Sequence, residues 1–195
     1  EEDLKETTAQ SMKKRLPWLI ILLFLGMLVS SVVGVFEHVV AVLPIVICFQ
    51  SLVLDMAGNV GTQSLAVTIR VLMDESLTGK QKLQLVFKEM RIGFCNGLLL
   101  GVLSFAVIGL FIFLFKGKTM MFAFSVSACI GIALLLAMLI SSAVGTCIPL
   151  FFKKIHIDPA VASGPLITTV NDLVAVVTFY GLSWLFLIEM LHLAG

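Results

Sequence analysis

The chain has 195 residues, about one compact domain, of which 59% are hydrophobic and 13% charged, with a mean hydropathy of +1.12. A soluble core cannot absorb that much apolar surface, and the uncharged runs exceed the roughly 10–14 residues of a buried core helix and reach spanning length. A formal net charge of +1 without a clustered basic face argues against a nucleic-acid partner.

The opening Glu1, Glu2 and Asp3 are unlike a signal peptide, which carries positive charge before a short apolar run, so a chain cut from a longer protein is expected. Lys13, Lys14 and Arg15, then Pro17 and Trp18, form a basic and aromatic interface anchor for segment one, whose uncharged run Leu16–Phe36 is 21 residues. A polar break at Glu37 and His38 leads through Pro44 into segment two. That segment runs to about Leu72, carries Asp55, Asn59 and Gln63, and is the most polar of the spans.

Arg70 to Arg91 reads as a charged connector whose last part, Gln84 to Arg91, is the amphipathic start of segment three; the span itself is Ile92–Phe115, 24 residues. Lys116-Gly117-Lys118 reverses the chain into segment four, where Thr119–Phe152 contains 34 uncharged residues. That exceeds the roughly 20 needed to cross but falls short of a hairpin, so one long, tilted or kinked helix is predicted. Lys153, Lys154 and His156 close it. Asp158-Pro159 then signals a helix start, since proline at the first position lacks only an amide hydrogen that would be unpaired there anyway. Cys48, Cys95, Cys129 and Cys147 all lie in apolar segments without a CxxC pair, which predicts buried packing roles.

Five helices place the termini on opposite sides. Eleven Lys and Arg fall on the N-terminal side and two, Lys116 and Lys118, on the other, which puts the N-terminus in the cytoplasm and the C-terminus outside. No 20–50-residue repeat is apparent, and an odd helix count disfavours a duplicated transporter half. The expected fold is therefore an all-α membrane protein with five transmembrane helices per subunit, and a pore shared between two subunits becomes attractive.

The chemistry concentrates in two segments. In segment two, spacing by four puts Asp55, Asn59 and Gln63 on one stripe, with Gly58 and Gly61 on its flanks allowing close backbone approach. Inter-helix hydrogen bonding is one use of such a stripe, and holding a hard, hydrated cation is the other. In segment five, Asp172 has 13 uncharged residues before it and 16 after it. An ionisable group at that depth costs at least about 2.5–3.5 kcal/mol and normally faces a bundle interior or a water-filled path. Asp158, 14 residues earlier, lies some 40° around the helix and about 21 Å along it, at the cytoplasmic mouth. Thr168 and Thr169 share the face of Asp172, and Pro165 frees a backbone carbonyl one turn earlier.

The bland alternatives are an N-cap for Asp158, a snorkelling interfacial acid for Glu189 and a solvated surface acid for Glu89, which sits beside Lys88 and Arg91; facing the pore mouth is the other reading of Glu89. Enzymatic chemistry finds no support. His38 and His156 fall at opposite faces, there is no Ser/His pair or HExxH helix, and Gly58 and Gly61 lack a P-loop lysine.

Pro44 with Gly58-Asn59-Val60-Gly61-Thr62-Gln63, and Asp158-Pro159-Ala160…Ser163-Gly164-Pro165…Thr168-Thr169…Asp172, resemble the MgtE family of magnesium channels, as does Lys88-Glu89…Gly93…Gly97 leading segment three. The resemblance covers essentially the whole chain. It implies a homodimer in the plasma membrane with a central pore lined by segments two and five, passing Mg2+ inward. It further implies that Asp172 is the principal ion-site residue, supported by backbone near Thr168 and by Asn59, with Asp158 and Glu89 on the cytoplasmic side of the pathway. Residues 1–15 would be the end of a linker helix from a missing cytoplasmic regulatory domain, and residues 16–195 the pore domain. Mg2+ sheds water reluctantly and keeps several waters while one or two carboxylates hold it, which suits a symmetric pair of Asp172 side chains. An ion-coupled secondary transporter with a broken helix five is the competing expectation.

Overall fold

A reciprocal capping box opens the first helix: the Gln10 amide donates to Thr7 Oγ1, and the Thr7 amide donates to Gln10 Oε1. The computed structural model describes residues 7–74 and 77–192, and helix α1 (Thr8–Val35) begins at this cap, so residues 7–15 of the expected linker segment run into the first span. Residues 1–6 of that segment, residues 75 and 76 of the connector and residues 193–195 lie outside the described residues. None of α1 is buried, and its main contacts are with α6 and the short α2.

Helix α2 (Glu37–Val42) and a 3-10 turn (Pro44–Val46) fold the chain back into α3 (Ile47–Asp74). A second capping box, Thr78 with Gln81, starts α4 (Gly79–Phe115). The helix thus begins five residues before the expected amphipathic start at Gln84, because the Thr-x-x-Gln cap outweighs the polarity of the stretch that follows. Gly117 makes the reversal with φ +61°, a left-handed conformation that glycine adopts without Cβ strain.

Helix α5 (Met120–Lys154) is a single 35-residue rod capped by Thr119 and ending on Lys153 and Lys154, which complement the helix dipole. At 1.5 Å per residue it is about 52 Å long, well beyond the roughly 30 Å hydrocarbon core, as the long-helix expectation required. Helix α6 (Pro159–Leu182) starts at the Asp158-Pro159 signal and continues into a π-helical segment, Ser183–Met190. It passes Pro165 without interruption, so the break expected there is absent and the irregular backbone lies at the other end of the span. Five helices among the described residues are long and apolar enough to cross a membrane.

Three glycines one turn apart bring α4 and α5 together. Gly93 faces Ser142 and Met138, Gly97 faces Leu135 and Gly101 faces Gly131, an antiparallel register. A Cβ at Gly101 would lie 2.8 Å from the Gly131 carbonyl oxygen, and one at Gly131 would lie 2.7 Å from that of Gly101. Two backbones in such contact gain packing that lipid tails cannot supply. Helix α5 is the central post, touching α3, α4 and α6. Val53, Ala57, Ile130, Ala133, Ala137, Ala175 and Phe179 fill the core around it.

The cysteines do not follow the buried expectation. Only Cys129 is buried, beside Ser183 Oγ at 3.8 Å, while Cys48, Cys95 and Cys147 are exposed on the protomer surface. An apolar run reports membrane depth and says little about which face of a lipid-bathed helix points inward.

Replacing Gly101 with leucine must separate two backbones or force strained rotamers. Gly101→Leu is expected to destabilise the bundle by about 1–3 kcal/mol, read as a fall in melting temperature in detergent, with Gly26→Leu, whose Cβ position is open, as the unaffected control.

Candidate functional site

The site is organised around Gly61. This glycine of α3 is buried, its carbonyl oxygen abuts Gly145 of α5 closely enough to exclude a side chain there, and its own missing Cβ leaves the space that the Asn171 carboxamide of α6 occupies. Three helices therefore meet with almost no side chain between them. The contact sets the level and rotation of α6 against α3, and successive helical residues project about 100° apart. With Asn171 turned onto Gly61, Asp172, the next residue, projects about 100° away from that junction.

The structure divides the polar residues of α3 cleanly. Gly61, Ser64 and Thr68 face inward and are buried, whereas Asp55, Asn59, Thr62 and Gln63 are exposed on the outer surface of the protomer. Asn59 Nδ2 donates to Asp55 Oδ2 at 3.2 Å, so the two are held along the predicted stripe. No atom lies within 4 Å of a Cβ built on Gly58, which leaves open space beside Asn59.

On α6, Thr168 is exposed, Asp172 is half-buried, and Asp158 is exposed at the helix start. The Thr168 hydroxyl donates to the Gly164 carbonyl at 3.2 Å and the Thr169 hydroxyl to that of Pro165 at 3.0 Å. Both hydroxyl protons are thereby committed to the backbone, and the oxygen lone pairs remain to accept or coordinate. Asn59 belongs to the exposed stripe of α3, and Thr168 and Asp172 belong to α6, the helix that packs on α3 through Asn171 at Gly61. Asp158 stands at the far start of α6.

Glu89 departs from its surface expectation. It is only 4% exposed and accepts a 2.9 Å hydrogen bond from Ser64 Oγ, tying α4 to α3 one turn beyond Gly61. Its neighbours Lys88 and Arg91 are exposed, so the charge of the surrounding sequence disguised an inward-facing carboxylate. The inward register of Leu85, Glu89, Gly93 and Gly97, each four apart, was the available signal.

Two further residues escaped the sequence reading. Asn171 is fully buried and neither its Oδ1 nor its Nδ2 has a hydrogen-bond partner. Tyr180, also fully buried, donates its hydroxyl to Gln50 and stacks on Phe36 at 5.8 Å, which locks the other end of α6 to α3 and to the turn between α1 and α2. Beyond it His38 meets Trp184, far along α6 from His156. Among the described residues no three His, Cys, Asp or Glu side chains converge on one point.

Comparison with known proteins bears on this arrangement. The model of the MgtE family, described as a divalent cation transporter, matches residues 50–182, from the first turn of α3 to the end of α6. The chain is similar to the magnesium transporter MgtE of Bacillus subtilis (36% identical; 89% of this chain, 37% of the relative) and to that of Enterococcus faecalis (35% identical; 95% and 39%). It is 29% identical to the magnesium transporter MgtE of Thermus thermophilus, over 89% of this chain and 36% of that protein. The chain thus spans well under half the length of these curated relatives.

The Gly61 junction makes its own prediction. Gly61→Ala drives a methyl group into the Asn171 carboxamide and is expected to cost about 1–3 kcal/mol. Asn171→Ala in the same chain should recover part of that loss, and a double-mutant cycle on melting temperatures reads the coupling.

Proposed function

The chain belongs to the MgtE family of divalent cation transporters, and from that premise we propose that it forms a Mg2+-conducting pore from two copies, with α3 and α6 of each lining the path. The observation that carries the reading is the exposed Asp55, Asn59 and Gln63 stripe of α3, on a protomer whose spanning helices also expose many Leu, Phe and Val side chains. Hydrocarbon does not cover such a face at low cost, whereas water and a second protomer do.

In this reading each protomer contributes one Asp172 carboxylate to a twofold axis. Two carboxylates attract a divalent ion that keeps most of its waters, and the attraction stays weak enough for release. Asn59, Thr168 and neighbouring backbone carbonyls accept hydrogen bonds from those waters. Asp158 concentrates cations at the mouth. Glu89 braces α3 through Ser64, and direct contact with the ion would require that bond to open.

In this reading the N-terminus lies in the cytoplasm, which the excess of Lys and Arg on one side supports. The relatives are more than twice as long as this chain, and gating by internal Mg2+ is assigned here to a cytoplasmic regulatory domain beyond residues 16–195. A coupled carrier is the second reading. The unbroken path of α6 through Pro165 removes the discontinuous helix that had favoured it.

Purified protein in liposomes tests the proposal. Asp172→Ala is expected to lower Mg2+ uptake by about tenfold or more, the effect of losing at least ~1.4 kcal/mol of ion stabilisation, while the dimer persists on size exclusion. Near-normal uptake by this variant would sink the central assignment. Uptake by the unmodified protein should follow the Mg2+ gradient and voltage alone; dependence on a proton or Na+ gradient would instead establish the carrier.

A further inference from the structure

We propose that the outer face of α4 at Lys88 and Arg91 is a binding site for an anionic phospholipid, its phosphate held by the two cations and its acyl chains by the adjoining grooves. Lys88 and Arg91 are three residues apart on one helix, share a face and are exposed. No ion pair joins either of them to a carboxylate of the described residues. Glu89, which lies between them, is turned inward to Ser64.

The helix-dipole role of basic residues does not fit this pair. Lys153 and Lys154 complete the C-terminal turn of α5 and answer its dipole; Lys88 and Arg91 lie well inside α4, away from either end. Arg91 is the last charge before the uncharged run that reaches Phe115, so the pair stands where headgroups give way to hydrocarbon.

The surroundings have the form of an amphiphile. Lys88 and Arg91 head a groove of about 440 Å³ that continues past Ile92 and Cys95 to Asn96. A second groove of about 290 Å³ shares Arg91 and Cys95 and runs between α4 and α5, past Phe87, Phe94 and Leu139. Arg91 is thus the crest between two channels, one for each chain of a diacyl lipid. Its planar guanidinium matches two phosphate oxygens, and the Lys88 ammonium adds a point charge. Asn96, five residues deeper at about 1.5 Å per residue, is placed for an ester carbonyl. A choline headgroup would bring its own cation against this pair, which commits the site to lipids with net negative charge, such as phosphatidylglycerol.

Native mass spectrometry and thermal shift on the purified protein, with added phosphatidylglycerol or phosphatidylcholine, test the assignment without reference to ion flux. The unmodified protein should retain phosphatidylglycerol in preference to phosphatidylcholine and melt higher with it. Lys88→Gln with Arg91→Gln should weaken that binding roughly 30-fold, the factor two basic residues near an anionic surface supply. Lys80→Gln with Lys82→Gln, on the same helix but nearer its start, should leave it intact. Equal loss in both double variants would mean a diffuse charge effect and would overturn the site. So would absence of headgroup preference, or a melting shift reproduced by inorganic phosphate alone. Efficient Cys95–Cys95 disulfide formation between copies would overturn it too, because it would show that a second protomer covers the groove.

Discussion

A polar side chain at bilayer depth has only three outlets: the backbone of its own helix, a group on a neighbouring helix, or water. The first outlet takes several hydroxyls among the described residues, as with Thr62 on the Gly58 carbonyl, Thr68 on that of Ser64, Thr146 on that of Ser142 and Ser183 on that of Phe179, all at 2.8–2.9 Å. The second joins Ser64 to Glu89 and Tyr180 to Gln50, and each of those bonds ties two helices at a defined height. Asp55 and Asn59 bond to each other along α3 and, with Gln63, remain exposed, while Asp172 is half-buried on α6. The exposed α3 stripe is the feature that the proposed aqueous path accounts for.

That sorting depends on how closely the helices approach. Gly61 and Gly145 let α3 reach α5 backbone to backbone, and Asn171 rests in the gap that remains. Small residues turned inward leave the larger polar ones on the opposite side of α3, so the packing of the bundle and the polarity of its outer face are one arrangement. Asn171 carries the cost. An unpaired buried amide forfeits about 1–3 kcal/mol per unmet group, and it stands next to the acid on which the proposed ion site turns.

Much of the architecture was legible before any coordinates. The uncharged run lengths located the spans, the Asp158-Pro159 pair marked the start of α6 to the residue, and the continuity of α5 followed from a run too short for a hairpin. Spacing by four also identified the Asp55, Asn59 and Gln63 stripe. What composition could not supply was facing. Cys48, Cys95 and Cys147 are exposed because apolar residues in lipid have no obligation to point inward, and Glu89 is buried although its immediate neighbours are cations. The π-helical segment after Leu182, where Ser183 meets Cys129 and Trp184 meets His38, has no signature in residue type.

The glycine contacts have a genetic consequence. Glycine has no smaller neighbour, so every missense change in its codon adds atoms. At Gly61, Gly93, Gly97, Gly101, Gly109, Gly131 and Gly145 those atoms meet backbone or a tightly packed side chain, whereas at Gly26, Gly34, Gly58, Gly79, Gly164 and Gly181 they meet nothing within 4 Å. One residue type is therefore split into two mutational classes that the letters of the sequence do not distinguish. Variation should accumulate freely at the open set on steric grounds, while the closed set leaves the bundle a narrow corridor of permitted change.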